Sequence, residues 1–187
     1  SVDAGTVARF NRKTSDGTII GFYQDGNLEG SIEVSGTTVS LTGAHLSRWS
    51  RIYGANTRPE ILRGTVLSNL DEMIAWGEED NEQLNYMKVS DEVSDRNVSG
   101  LFQGWDDDDE LNTLDFHCAM TGDFIIRVNS GTTVFRGNLL MSAGNGTATP
   151  QDDDIIRSKT IAKVTSNTVI TTYGDGSYCV PCVIMAC

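Results

Sequence analysis

Three sets of side chains have types and spacings that do chemistry. Asp71 and Glu72 are adjacent carboxylates, and such a pair can divide general-acid and general-base roles if burial raises one pKa. On a helix, neighbours point about 100° apart, so each would need its partner elsewhere or on another chain. The alternative role is favourable charge at a helix N-terminus. His45 lies close to Ser47 and Ser50. A histidine beside a serine can activate the hydroxyl for an acyl shift or direct attack, although many structural surfaces carry the same pattern. His117, in the apolar stretch Phe116-His117-Cys118, fits a core or interface histidine. The third set is acidic: residues 106–109 and 152–154 are runs of aspartate. Asp106, Asp108, Asp152 and Asp154 are candidate ligands for a Ca²⁺ or Mg²⁺ ion, because a hard cation gathers about six oxygens or more. Without a cation these loops are solvated tips. No EF-hand order is present, and no motif implies another cofactor.

The four cysteines are Cys118, Cys179, Cys182 and Cys187. Cys179-x-x-Cys182 has the spacing of a redox pair or half a zinc site. It sits in an apolar, β-branched segment with no helix after it and no second such pair. Reduced thiols packed as small apolar residues are the simpler assignment, and they imply a reducing folding compartment.

The elements that must position these groups are strands. Thr and Val recur in short runs, and turn signals separate them: Asp16-Gly17, Asp25-Gly26, Gly122-Asp123, residues 143–146 and Gly174-Asp175-Gly176. Residues 1–43 give strands of about four to six residues that cannot bury a core alone; they suit an intertwined oligomer, three chains being natural for a β-prism. Residues 44–60 read as a junction with room for one helical turn. Residues 61–68 read as a strand and 70–76 as one or two turns of helix. From 84 onward strands dominate, including 98–105, 114–120, 124–128, 133–140, 155–161, 168–173 and 178–186, which implies a compact β-barrel or sandwich.

Lys plus Arg is 14 and Asp plus Glu is 26, giving a net charge of −12. Such a surface repels phosphate backbones and anionic lipids, which argues against nucleic-acid and membrane-surface binding. No run approaches the ~20 apolar residues of a spanning helix, so no membrane insertion is expected. No basic start followed by an apolar stretch reads as a signal peptide.

The stretch Asp16-Gly17-Thr18-Ile19-Ile20-Gly21-Phe22-Tyr23, continued by Asp25-Gly26-Asn27-Leu28-Glu29-Gly30-Ser31-Ile32, resembles the last stalk repeat of phage tail fibres and tailspikes. In that family the repeat leads into a C-terminal intramolecular chaperone that trimerises, helps three chains wind into a β-helical stalk and is often released by self-cleavage. One version carries a Ser-Asp-x-Arg-x-Lys motif at the junction; this chain has Ala44-His45-Leu46-Ser47-Arg48-Trp49 there. Ser68-Asn69-Leu70-Asp71-Glu72 through Trp76, the acidic residues after it, and residues 136–148 and 161–164 resemble a second version, the self-cleaving C-terminal domain of preneck appendage proteins.

The resemblance implies a mainly β homotrimer located in the virion tail and assembled in the host cytoplasm. Residues 1–43 would be the stalk end, a β-prism or triple β-helix, 44–60 a junction, and 61–187 a chaperone or tip domain with at most one or two short helices. Val7, Phe10, Ile20, Phe22, Ile32 and Val39 are candidates for the trimer core. Asp71, Glu72, His45 and Ser47 are candidates for autocatalytic cleavage. The alternative function is a receptor-binding tip, in which Trp49, Trp76 or Trp105 would hold a glycan or protein of the host cell surface.

Overall fold

The computed structural model describes residues 8–42, 45–75, 83–106 and 114–186. Among them there are strands and turns but no α-helix. The protein is all-β, with a compact barrel. The chain divides into two compact units, Ser1–Ala44 and His45–Cys187.

The first unit is an antiparallel meander of β1 (Gly17–Gln24), β2 (Asn27–Ser35) and β3 (Thr38–Thr42). Its turns fall where Asp25-Gly26 and Gly36 supply positive φ (48°, 83° and 56°). Opposed residues in an antiparallel pair share a face. Ile20 opposes Ile32, Phe22 opposes Gly30, and Val34 opposes Val39, so Ile20, Phe22, Ile32, Val34 and Val39 line one face. The other face carries Thr18, Ser31, Glu33 and Ser40, with Glu33 accepting hydrogen bonds from Ser31 (2.8 Å) and Thr18 (3.3 Å). No apolar side chain described in this unit is buried: Phe22 is 52% exposed and Val39 67%. Phe10 precedes the meander and is also exposed; Val7 lies outside the described residues.

The second unit is one ten-stranded sheet: β4 (His45–Arg51), β5 (Val66–Met73), β6 (Asn85–Val89), β7 (Val98–Trp105), β8 (Asp115–Val128), β9 (Leu139–Ser142), β10 (Ala148–Pro150), β11 (Ala162–Val164), β12 (Thr171–Thr172) and β13 (Tyr178–Met185). The 14-residue β8 organises it. Its first half pairs with β4 and β7, its second half with β13. Strands β8, β13, β11, β9 and β10 close on themselves as a five-stranded barrel. Strands β4, β8, β7, β5 and β6 form a half-barrel, and a bridge from Ile52 to Met87 links the chain after β4 to β6.

Two cores follow from this layout. Phe124, Ile126 and Val128 of β8 alternate inward with Val180, Cys182 and Ile184 of β13, and with Leu140 and Ile161 they fill the barrel. Leu67, Met87, Phe102, Phe116 and Cys118 fill the half-barrel. Strands β5, β7 and β8 are buried on both faces: Val66, Leu101 and Ala119 belong to the first core, their neighbours Leu67, Phe102 and Cys118 to the second. At Gly100 a Cβ would sit 2.3 Å from Cys118 Sγ and 2.6 Å from the Ala119 carbonyl oxygen, so the β7–β8 approach requires glycine.

Several sequence expectations are corrected. Residues 70–73 are strand, not helix; pairing of β5 with β6, Met73 opposite Asn85, overrides a local helical preference. Residues 45–51, read as part of a junction, are a strand fixed to β8 by an Arg51–Asp115 ion pair at opposed positions. The strands expected over 133–140 and 155–161 are mostly irregular backbone and turns, with strand only from Leu139, because side chains take the backbone N–H groups. Asn138 Oδ1 accepts from Phe135 N (2.7 Å), Asp153 from Ile155 N (3.1 Å) and Thr160 Oγ1 from Arg157 N (2.9 Å). The strand expected at 61–68 begins only at Val66, and that at 168–173 shrinks to Thr171–Thr172.

Candidate functional site

The fold brings His45 and Ser47 together, but not as a nucleophile and its base. Both reach across to β7: Ser47 Oγ donates to Gln103 Oε1 (2.7 Å), and His45 Nε2 lies 2.9 Å from the same oxygen. With Oε1 accepting from both, the Nε2-protonated tautomer holds. The buried Nδ1 is then an acceptor without a partner among the described residues, and the ring packs edge-on against Phe124 at 4.6 Å. The serine proton is thus directed to an amide, which is not a base.

Asp71 and Glu72 lie in a bulge. Asn69 opposes Met87 and Met73 opposes Asn85, so three residues of β5 face one of β6. Both carboxylates are exposed. Of the tryptophans, Trp49 stands exposed beside the His117 ring (6.4 Å). Trp105 packs on Phe102 and Phe116 under the Arg58 guanidinium. Trp76 lies outside the described residues.

In the 152–154 loop two of the three carboxylates are paired with nearby cations. Lys159 binds Asp152 (3.1 Å) and Arg157 binds Asp153 (2.9 Å). Hydrogen bonding from Lys159 holds the Asp152 carboxyl below its ordinary range, and that from Gln151 and Arg157 does the same for Asp153. Asp154 is exposed, Asp106 lies 3.8 Å from His117 Nε2, and Asp108 is outside the described residues. Among the described residues no group of three or more His, Cys, Asp or Glu side chains is placed to hold a metal ion.

The described thiols do not meet as a redox pair. Cys118, Cys179 and Cys182 are free and buried. Cys182 faces the barrel core and Cys118 the half-barrel core. Cys179, three positions before Cys182, lies under Arg63 and Tyr173. Burial pushes Cys118 and Cys182 up to about 12 and raises Cys179, so none is a ready thiolate.

The most organised polar site is one the sequence reading missed. Arg127 is the lone charge in the apolar run of β8, and its side chain is only 11% exposed. It donates to Ser177 Oγ (2.7 Å), to Thr65 Oγ1 (3.3 Å) and to Asp175, and lies over the Tyr173 ring. Asp175 also accepts from Ser177 N (3.0 Å) and Ser177 Oγ (2.6 Å). These hydrogen bonds, with Arg127, hold its carboxyl down at about 2. Burial pushes the Tyr173 hydroxyl to about 12, and it donates to the Arg63 carbonyl (2.9 Å). Gly64 presses the 60–65 segment onto β8; a Cβ there would lie 3.1 Å from Arg127 N and from Ile125 O. Between this segment and the 173–175 turn lies a cleft of about 390 Å³. An arginine inside a buried strand pattern was the available signal, since a buried charge requires partners. Gln103 carried no signal.

Compared with known proteins, the chain matches no family model, no curated protein and no solved structure.

Proposed function

We propose that this chain is the C-terminal trimerisation and intramolecular chaperone module of a phage tail fibre or appendage. Residues 45–187 fold first and associate as a homotrimer. They hold three copies of the preceding segment together at an effective concentration of roughly mM, so that the segments wind in register.

The observation that carries this reading is the uncovered face of the meander. Ile20, Phe22, Ile32, Val34 and Val39 share one side of a three-stranded sheet, and no apolar side chain described there is buried. Fixing each residue's backbone costs about 1–2 kcal/mol, and a sheet without a covered apolar face does not recover it. A second and third copy of the same face would supply the cover. The reading includes no peptide cleavage, because the Ser47 proton goes to Gln103 and Asp71 and Glu72 stand in solvent.

Dividing the chain tests it. Residues 45–187 alone are expected to fold and trimerise, and residues 1–44 alone to be unfolded by circular dichroism. A fragment 1–44 that forms an ordered trimer unaided contradicts the chaperone role.

A further inference from the structure

We propose that the cleft between the 60–65 segment and the 173–175 turn binds one ring of a neutral saccharide. This goes beyond the trimer reading and does not depend on it. The cleft's size, about 390 Å³, lies within the ~300–1,000 Å³ typical of small-ligand sites. Its walls combine two chemistries. Ile61, Leu62 and Val89 supply apolar surface beside the Tyr173 ring, while Glu60, Asp175 and Arg127 supply polar groups. A sugar ring has the matching division, with an apolar C–H face and a rim of hydroxyls that both donate and accept.

The polar groups suit hydroxyls better than a charged ligand. Arg127 uses three acceptors, Ser177, Thr65 and Asp175, and its guanidinium has further N–H groups to donate. Asp175 and Glu60 accept. Two carboxylates outnumber one guanidinium in the cleft, and the chain carries −12 overall, so an acidic sugar is repelled. A cationic ligand would meet the Glu60 carboxylate but has no acceptor for the free Arg127 N–H groups, whereas a sugar hydroxyl serves both. The site is also set in advance. Arg127 is clamped from three sides, Tyr173 is tied to Arg63, and the Gly64 backbone hydrogen bonds to Phe102 and Arg127 (2.9 and 3.0 Å). Binding therefore spends little free energy on ordering side chains.

Saturation-transfer difference NMR on the full chain tests this. The probes are the methyl glycosides of glucose, galactose, mannose and N-acetylglucosamine, with the methyl glycoside of N-acetylneuraminic acid and methylguanidinium as charged comparisons. At least one neutral glycoside is expected to give a saturable signal, strongest at the C–H protons of one ring face. Glu60→Gln, at an exposed position, and Thr65→Val, which keeps its volume, are each expected to weaken it about tenfold, the worth of a hydrogen bond involving a charged group. Glu72→Ala is expected to leave it unchanged. The proposal is overturned if no neutral glycoside gives a saturable signal, if neither variant weakens it, or if a charged probe binds more tightly.

Discussion

The two units of this chain are both antiparallel β-sheet, yet they bury their side chains in opposite ways. In the second unit, β5, β7 and β8 are covered on both faces, one turned to the barrel core and the other to the half-barrel core. In the first, three strands align Ile20, Phe22, Ile32, Val34 and Val39 on one face and fully bury none of them. Both units pair their strands into hydrogen-bonded sheets, so backbone pairing is not what separates them. The difference is whether apolar area leaves water, the dominant favourable term in folding. A sheet that closes on itself supplies its own interior; a meander needs one from another copy.

The largest expected effect breaks the comparison at its seam. Removing residues 45–187 should abolish all ordered structure in 1–44, while removing 1–44 should leave the second unit's melting transition in place. Next come single substitutions. Leu67→Ala and Ile126→Ala, each at a fully buried site, should cost about 2–5 kcal/mol by chemical denaturation. Phe22→Ser should leave that transition unshifted and lower the fraction of trimer in sedimentation. A loss of second-unit stability with Phe22→Ser would erase the distinction between the units.

Glycines sharpen the contrast. Gly100→Ala meets Cys118 and Ala119 and should cost about 1–3 kcal/mol through overpacking. Gly26→Ala meets open space at φ 83° and should cost about 1–2 kcal/mol, from the left-handed backbone alone.

The thiols add a pH signature confined to the second unit. The ordinary thiol value is 9.0, and burial raises Cys118 and Cys182 to about 12. Above 9.0 the unfolded state releases these protons and the folded state keeps them, so the unfolded state gains. Stability should be full below pH 9.0 and fall as pH rises toward 12, and a thiol reagent at neutral pH should leave both residues unmodified. The smallest effect is expected at the bulge: Asp71→Ala and Glu72→Ala should change stability by less than about 0.5 kcal/mol and leave the chain's mass on a gel unchanged during incubation. Shortening of the wild-type chain that either variant stops would place these carboxylates in a cleavage reaction.

Much of the architecture is legible in the sequence where period two and turn residues agree. Asp25-Gly26 marks the β1–β2 turn, and the alternation Ile32, Val34 sets the apolar face of β2. Phe124, Ile126 and Val128 read as a strand and are one. The readings fail where side chains compete with the ladder, as Asp153, Asn138 and Thr160 do. They fail again at residues 70–73, whose helical pattern yields to pairing with β6. The paired thiols look like chemistry but sit in separate environments, because positions three apart along β13 point to opposite faces. The Arg127 cleft draws on residues from 60 to 175, and no local pattern assembles them.

The central claim concerns the uncovered face of the meander, and one combined measurement addresses it directly: the solution mass of the intact chain by light scattering, with amide exchange followed over residues 17–42 in the same sample. The account predicts a mass three times the 20.3 kDa chain and protected amides in β1 to β3 that lose protection when dilution dissociates the copies. A single-chain mass with those amides still protected would contradict it.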